Sequence, residues 1–316
     1  MPKDVMRKKP QLTDNTFISF DGTELPLRIW LPAEPLKAVF IAVHGYNDYS
    51  AFIMSSALCF NNRNIALYAY DQRGFGKTEN PGRWVGYKTM VRDLKTFIPL
   101  VQKRHPDIPL YLLGHSMGGA VIMTAAVTGD HLPCTGVVLV APAVWSRTTM
   151  PFYQRWALAL AVRLVPWFKA SPEGLDIAAS DNKKMLEELA NDPLFQKRSR
   201  IDSLYGLSNL MDAAYASSSS YDQKTLFLYG SKDEIIPAEP VADVFRVRLR
   251  GSFTEPQRIL YYKNGYHMLL RDLQADTVRE DILFWIDSPA GTFPSVHSKA
   301  SREITTEGDI KKNLAP

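Results

Sequence analysis

Short, mostly apolar runs recur along the chain at Lys37–Val43, Ile65–Tyr70, Leu110–Leu113, Gly136–Ala141, Thr225–Tyr229 and Arg258–Tyr262. Their apolar residues are continuous rather than alternating. That pattern predicts strands covered on both faces, as in a parallel sheet. Between them lie stretches with helical spacing at Ser50–Asn62, Val85–Arg104, about 238–250 and 274–286. The second carries Met90, Leu94, Phe97 and Val101 three and four residues apart, the spacing of one buried helix face. Strands alternating with helices predict an α/β fold with a mostly parallel central sheet flanked by helices. Ahead of them, Thr16–Phe20 and Leu25–Leu31 are β-rich runs joined by Asp21-Gly22, a hairpin signal.

The alternation stops near Val144 and resumes at Thr225. Between these points the pattern is helical. Met150–Phe168 carries Phe152, Trp156, Leu160, Leu164 and Phe168 at i+4 spacing, with Ala157, Ala161 and Val165 alongside. Asp181–Ala190 and Ile201–Ala214 are further helical patterns, and Ser217–Ser220 is a polar link. The expected organisation is a core of residues 14–144 and 225–288, with residues 145–224 inserted as a helical cap. Residues 1–13 and 289–316 are polar, lack apolar periodicity, and are expected to be flexible termini.

The 316 residues are 46% hydrophobic and 22% charged, which suits a soluble globular protein with a large core. A net charge of +4 is too small to argue for nucleic acid and mildly favours an anionic surface such as a phospholipid membrane. Two cysteines, Cys59 and Cys134, make neither a disulfide framework nor a metal pattern. The basic N-terminus lacks a following apolar stretch of signal-peptide type, and no uncharged apolar run reaches membrane-spanning length. A cytoplasmic protein, at most peripheral at a membrane, is expected.

Candidate chemistry sits where the Leu110 strand runs into Gly114-His115-Ser116-Met117-Gly118 and then into small and apolar residues. Strand, sharp turn and helix together expose a serine at the tip of a strained turn. A serine hydroxyl needs a neighbouring base, and that base needs an orienting group. His267 follows the last core strand and Asp233 follows the strand before it, so Ser116, Asp233 and His267 all fall at C-terminal strand ends, where open α/β sheets place their sites. Glu234 and Asp243 compete for the acid role. His115 lies inside the turn and should point away from Ser116. Two backbone N–H groups are expected to hold a developing oxyanion, those of Met117 and of Tyr46 in the loop after Lys37–Val43, with His44 bracing that loop. Asp71-Gln72-Arg73-Gly74-Phe75-Gly76 lacks phosphate-loop spacing and reads as a turn braced by Arg73. No histidine, cysteine or carboxylate cluster has metal spacing, so no metal or other cofactor is expected.

These residues resemble the α/β-hydrolase superfamily, in which the order serine, aspartate, histidine is the common layout. Within it the chain is similar to the branch of monoacylglycerol lipases and bacterial lysophospholipases, the serine aminopeptidase S33 or hydrolase 4 group. His44-Gly45, Asp71–Gly76, Gly114–Gly119, Asp192-Pro193-Leu194, Gly230–Asp233 and Tyr266–Leu270 carry the resemblance, which spans about residues 15–288. It implies Ser116 as nucleophile, Asp233 and His267 as its partners, Tyr46 and Met117 as oxyanion donors, and a small-molecule or lipid ester as substrate. Members of this branch often carry a small residue where this chain has Tyr46, which bears on the shape of the acyl pocket. The insertion then becomes a cap. Its Phe152, Trp156 and Leu160 would pack on the core, line an acyl tunnel as substrate-binding residues, or dock on a membrane beside Arg155, Arg163 and Lys169. A small-ester carboxylesterase, a peptidase and a non-catalytic ligand-binding receptor are the alternatives on the same fold.

Overall fold

The computed structural model describes residues 8–33, 35–171, 177–250 and 257–314. The strands are β1 Gln11–Leu12, β2 Thr16–Ile18, β3 Glu24–Trp30, β4 Ala38–Val43, β5 Ile65–Tyr70, β6 Leu110–His115, β7 Gly136–Val140, β8 Lys169–Ala170, β9 Ser199–Arg200, β10 Thr225–Gly230, β11 Arg258–Tyr262 and β12 Ser301–Glu303. The helices are α1 Met54–Asn61, α2 Tyr87–Arg104, α3 Met117–Ala126, α4 Phe152–Leu164, α5 Lys183–Asn191, α6 Ile201–Ser217, α7 Ala238–Arg250, α8 Ala275–Asp287, α9 Pro294–His297 and α10 Glu307–Leu314.

Ten strands form one sheet in the order β1-β2-β3-β5-β4-β6-β7-β10-β11-β12. From β5 to β11 every neighbouring pair is parallel, and the strands at both ends are antiparallel. The parallel strands are those read as continuous apolar runs, and β4, β5, β6, β7 and β10 are buried along their whole length. Two apolar layers cover the sheet. Met90, Leu94, Phe97 and Val101 of α2 join Val121 and Met123 of α3 on one face. Phe60 of α1 joins Val278, Ile282 and Trp285 of α8 on the other.

Strand order reverses at β4, which has β5 on one side and β6 on the other. A reversal opens a crevice beyond the C-terminal strand ends, because successive connections leave in opposite directions. In register, Val43 at the end of β4 lies opposite Gly114 of β6, so the loop after β4 emerges beside Ser116.

Between β7 and β10 the chain leaves the sheet and forms α4, α5 and α6, with a two-stranded β8–β9 ladder. α6 packs against α3, and α4 against α6.

The two termini differ from expectation. Residues 1–7 of the N-terminal arm lie outside the described residues, while Gln11 and Leu12 pair with β2. Of the stretch expected to be a flexible tail, residues 289–314 are not loose: β12 adds an antiparallel strand to β11, and α10 packs on α7. Phe293, Ile304, Ile310 and Leu314 are buried. These four anchors are too sparse to register as a helical or strand period, yet each joins one of the two apolar layers.

Candidate active site

Ser116 joins β6 to α3 at φ 51° and ψ −114°, a left-handed backbone that an L-residue adopts only under strain. The turn is this tight because strand and helix nearly touch. A Cβ on Gly118 would stand 2.0 Å from the Val43 carbonyl oxygen, and one on Gly114 would stand 2.6 Å from the Gly119 nitrogen. The Ser116 N–H donates to the Val140 carbonyl at 2.9 Å, and its carbonyl accepts from Ala120 at 3.1 Å and Ala143 at 3.0 Å. Ser116 is therefore fixed from both sides and is 7% exposed. Its N–H is occupied, while that of Met117, first residue of α3, is one of the donors a helix leaves without an intrahelical partner.

Asp233 and His267 meet at this rim. His267 Nδ1 lies 2.8 Å from Asp233 Oδ2, and both side chains are buried. The other Asp233 oxygen accepts from the Ile235 and Ile236 N–H groups, each at 2.9 Å. A carboxylate so saturated holds one orientation, and it fixes the Nδ1–H tautomer of His267, leaving Nε2 as the basic nitrogen. The competing acids are placed elsewhere. Glu234 accepts from the Ala178 N–H of the insertion, and Asp243 pairs with Arg246. The hydrogen bonds of this site run through Asp233, His267 and His115; among the described residues the Ser116 hydroxyl takes part in none of them.

His115 lies behind the turn. Its Nε2–H donates to the His267 carbonyl at 3.1 Å, its ring stands 5.1 Å from that of His267, and its Nδ1 has no partner among the described residues. Full burial pushes its pKa well below the usual imidazole value, and the neighbouring His267 adds to the shift. The ring stays neutral.

The loop after β4 is braced by His44. The buried His44 ring accepts the Gln72 N–H at Nε2 (2.8 Å) and donates from Nδ1 to the Gly45 carbonyl (2.8 Å). Burial lowers its pKa as well. Tyr46 turns its ring against Phe75, with centroids 5.4 Å apart, and its hydroxyl donates to Ser203 Oγ of α6 at 2.9 Å. Beside it, Asp48 forms a buried ion pair with Arg271, four residues beyond His267. Arg271 and Ser203 were not legible as site residues, since nothing local links Asp48 and Arg271 across 223 positions. Asp272 accepts from the Tyr266 N–H at 2.8 Å and from Ser180 Oγ at 2.6 Å, and burial raises its pKa. Arg73 ties Asp21 to Asp93 at 2.8 Å each, an ion-pair brace rather than a phosphate loop.

Phe152, Trp156 and Leu160 are not brought to this site. They are 71%, 74% and 59% exposed, so they neither pack on the core nor line an enclosed tunnel. α4 turns Leu158, Ala159, Ala161 and Val162 inward instead, leaving its larger side chains outside. Among the described residues no group of histidine, cysteine and carboxylate side chains could hold a metal ion, and no helix is long and apolar enough to cross a membrane.

Comparison with known proteins agrees with this geometry. Residues 34–274 match the family model for Serine aminopeptidase, S33 (Hydrolase_4). Human monoglyceride lipase is 26% identical over 283 residues, covering 87% of this chain and 90% of that protein. The monoacylglycerol lipase of Mycolicibacterium smegmatis is 25% identical over 287 residues, covering 87% and 97%. A soluble variant of Saccharomyces cerevisiae monoglyceride lipase, solved in complex with a substrate analog, superposes with a TM-score of 0.72 at 19% identity, over 92% of this chain and 99% of that one. At that identity the superposition speaks for the fold, which is that of the α/β hydrolases.

Proposed function

We propose, for a chain that belongs to the S33 serine aminopeptidase (Hydrolase_4) family, a carboxylic ester hydrolase that cleaves lipid esters of the monoacylglycerol or lysophospholipid type. The observation that carries the catalytic assignment is the strained serine at the β6–α3 turn on the same rim as the 2.8 Å Asp233–His267 pair. The match to monoglyceride lipases along most of both chains supports the ester class and a lipid acyl group.

In this mechanism His267 Nε2 takes the Ser116 proton as the hydroxyl oxygen attacks the ester carbonyl. The tetrahedral oxyanion is held by the N–H groups of Tyr46 and Met117, each worth about 3 kcal/mol in the transition state. The imidazolium, stabilised by Asp233, returns the proton to the departing alkoxide, which leaves as glycerol or glycerophospho-alcohol. Water then attacks the acyl-enzyme, giving up its proton to His267. The proton passes back to Ser116 as the fatty acid leaves.

The face of α4 supports delivery from a lipid surface. Phe152, Trp156, Leu160 and Leu164, with Trp167 and Phe168 beyond the helix, stand exposed. Arg155, Arg163 and Lys169 border them. An apolar stripe edged by cations suits a helix lying in the headgroup layer. Membrane contact would then be peripheral, with the insertion acting as a cap whose outer face meets lipid.

The test is hydrolysis of monoacylglycerol, lysophosphatidylcholine and short p-nitrophenyl esters side by side, with Ser116→Ala as the control. Long-chain lipid esters should be preferred. Retained activity in Ser116→Ala overturns the serine mechanism, and a preference for peptides overturns the lipid assignment. Co-sedimentation with anionic vesicles tests the surface of α4.

A further inference from the structure

The loop that supplies one oxyanion donor is anchored on the insertion. Hydrogen bonds cross between them: Tyr46 hydroxyl to Ser203 Oγ (2.9 Å), Asn47 Nδ2 to Ser199 Oγ (2.9 Å), Ser199 Oγ to Asn47 Oδ1 (3.3 Å), Gln196 N–H to the Asn47 carbonyl (3.0 Å) and Tyr49 hydroxyl to Asp192 Oδ2 (2.7 Å). The loop needs such anchoring, because Asn47 holds a left-handed backbone at φ 65°. On its other side the Asp48–Arg271 ion pair ties it to the segment that carries His267.

Ser203 is 2% exposed, in the first turn of α6. The buried residues of that helix include Leu210, Met211 and Ala214, and it packs against α3. α3 begins with Met117. A closed circuit results, from Met117 through α3 and α6 to Ser203 and back to Tyr46.

We propose that the Tyr46 side chain is a positioning strut: its hydrogen bond to Ser203 sets the Tyr46 N–H relative to α6, so that both oxyanion donors are referenced to the same helix. This rests on the serine-hydrolase reading above. The chemistry requires it to matter, since an oxyanion donor works only within about 2.7–3.1 Å of the developing charge, and a displacement of about 1 Å can cost on the order of a hundredfold in rate. A small residue at position 46 could supply the same N–H but could not reach α6. The tyrosine therefore makes the geometry of the hole depend on where the insertion sits, and movement of the insertion would change kcat before it changed substrate binding.

The experiment is Tyr46→Phe, which keeps the ring on Phe75 and removes only the hydroxyl. kcat on a water-soluble short ester should fall about three- to tenfold, the factor one hydrogen bond supplies, with KM within about twofold. Ser203→Ala removes the same bond from the other side and should match it. The double variant should be no slower than either single one, because both delete one interaction. Covalent labelling by a fluorophosphonate should slow by a similar factor yet reach full stoichiometry, which separates mispositioning from unfolding. An unchanged kcat in Tyr46→Phe, a loss confined to KM, or losses that add in the double variant overturn the strut. If the native protein itself fails to label at Ser116, the serine-hydrolase reading fails instead.

Discussion

α3 and α4 are both built mainly from apolar residues, and they end in opposite environments. All ten residues of α3, Met117–Ala126, are buried. None of the thirteen residues of α4, Phe152–Leu164, is. The two differ in side-chain size and in what lies nearby. α3 opens with Met117-Gly118-Gly119-Ala120, small enough to approach within contact of the β4 carbonyls, so the sheet covers one side and α2 and α6 cover the rest. α4 opens with Phe152-Tyr153-Gln154-Arg155-Trp156, bulky and partly charged, and it rests on α6 through only one narrow face. Apolar character made both helices seek cover. α3 found it within the chain, and α4 did not.

On the proposed mechanism the largest effect should come at the rim where α3 begins. His267→Ala is expected to lower kcat on a short ester by on the order of 10⁴-fold, since the nucleophile loses its base. Next is the interior of α3 itself. Met123→Ala should cost about 2–5 kcal/mol of stability by urea titration, the usual penalty for emptying a core position. The corresponding change on α4 should behave in the reverse way. The double variant Trp156→Ser, Leu160→Ser should shift stability by no more than about 0.5 kcal/mol, while vesicle affinity falls by about tenfold or more. A large loss of stability there would show that α4 is covered in solution.

A further contrast concerns pH. His44 and His115 are fully buried and their pKa values are lowered by desolvation. An unfolded imidazole takes up a proton near its ordinary value of 6.5, while these two do not. The unfolded state then binds more protons, and stability falls as pH drops below 6.5, by up to about 1.4 kcal/mol per pH unit for each such histidine. His115→Gln should flatten the decline in urea midpoint between pH 7 and pH 5.5. The α4 double variant should leave that decline unchanged, because both substituted side chains are exposed.

The placement of Ser116, Asp233 and His267 at one rim was legible because each follows a strand that reads as a continuous apolar run, and strand ends fix what faces the rim. The loop proposed to supply an oxyanion donor was legible only in part. Tyr46 stood out as an unusual residue after His44-Gly45, but its partner Ser203 sits 157 positions away on a helix whose docking has no local signal. The C-terminal stretch was misread for the same reason: Phe293, Ile304, Ile310 and Leu314 are widely spaced and acquire meaning only against β11 and α7.

Pattern along the chain was enough for the parallel sheet, the sharp turn at Ser116 and the places of Asp233 and His267, because apolar continuity, glycine and strand ends act over a few residues. Which apolar helix is covered, the extension of the sheet and its helical layer by residues 289–314, and the anchoring of the Tyr46 loop on the insertion emerge only from packing. Those outcomes depend on contacts between segments far apart in the chain, and a pattern along the chain carries no information about which distant surface will be there to meet it.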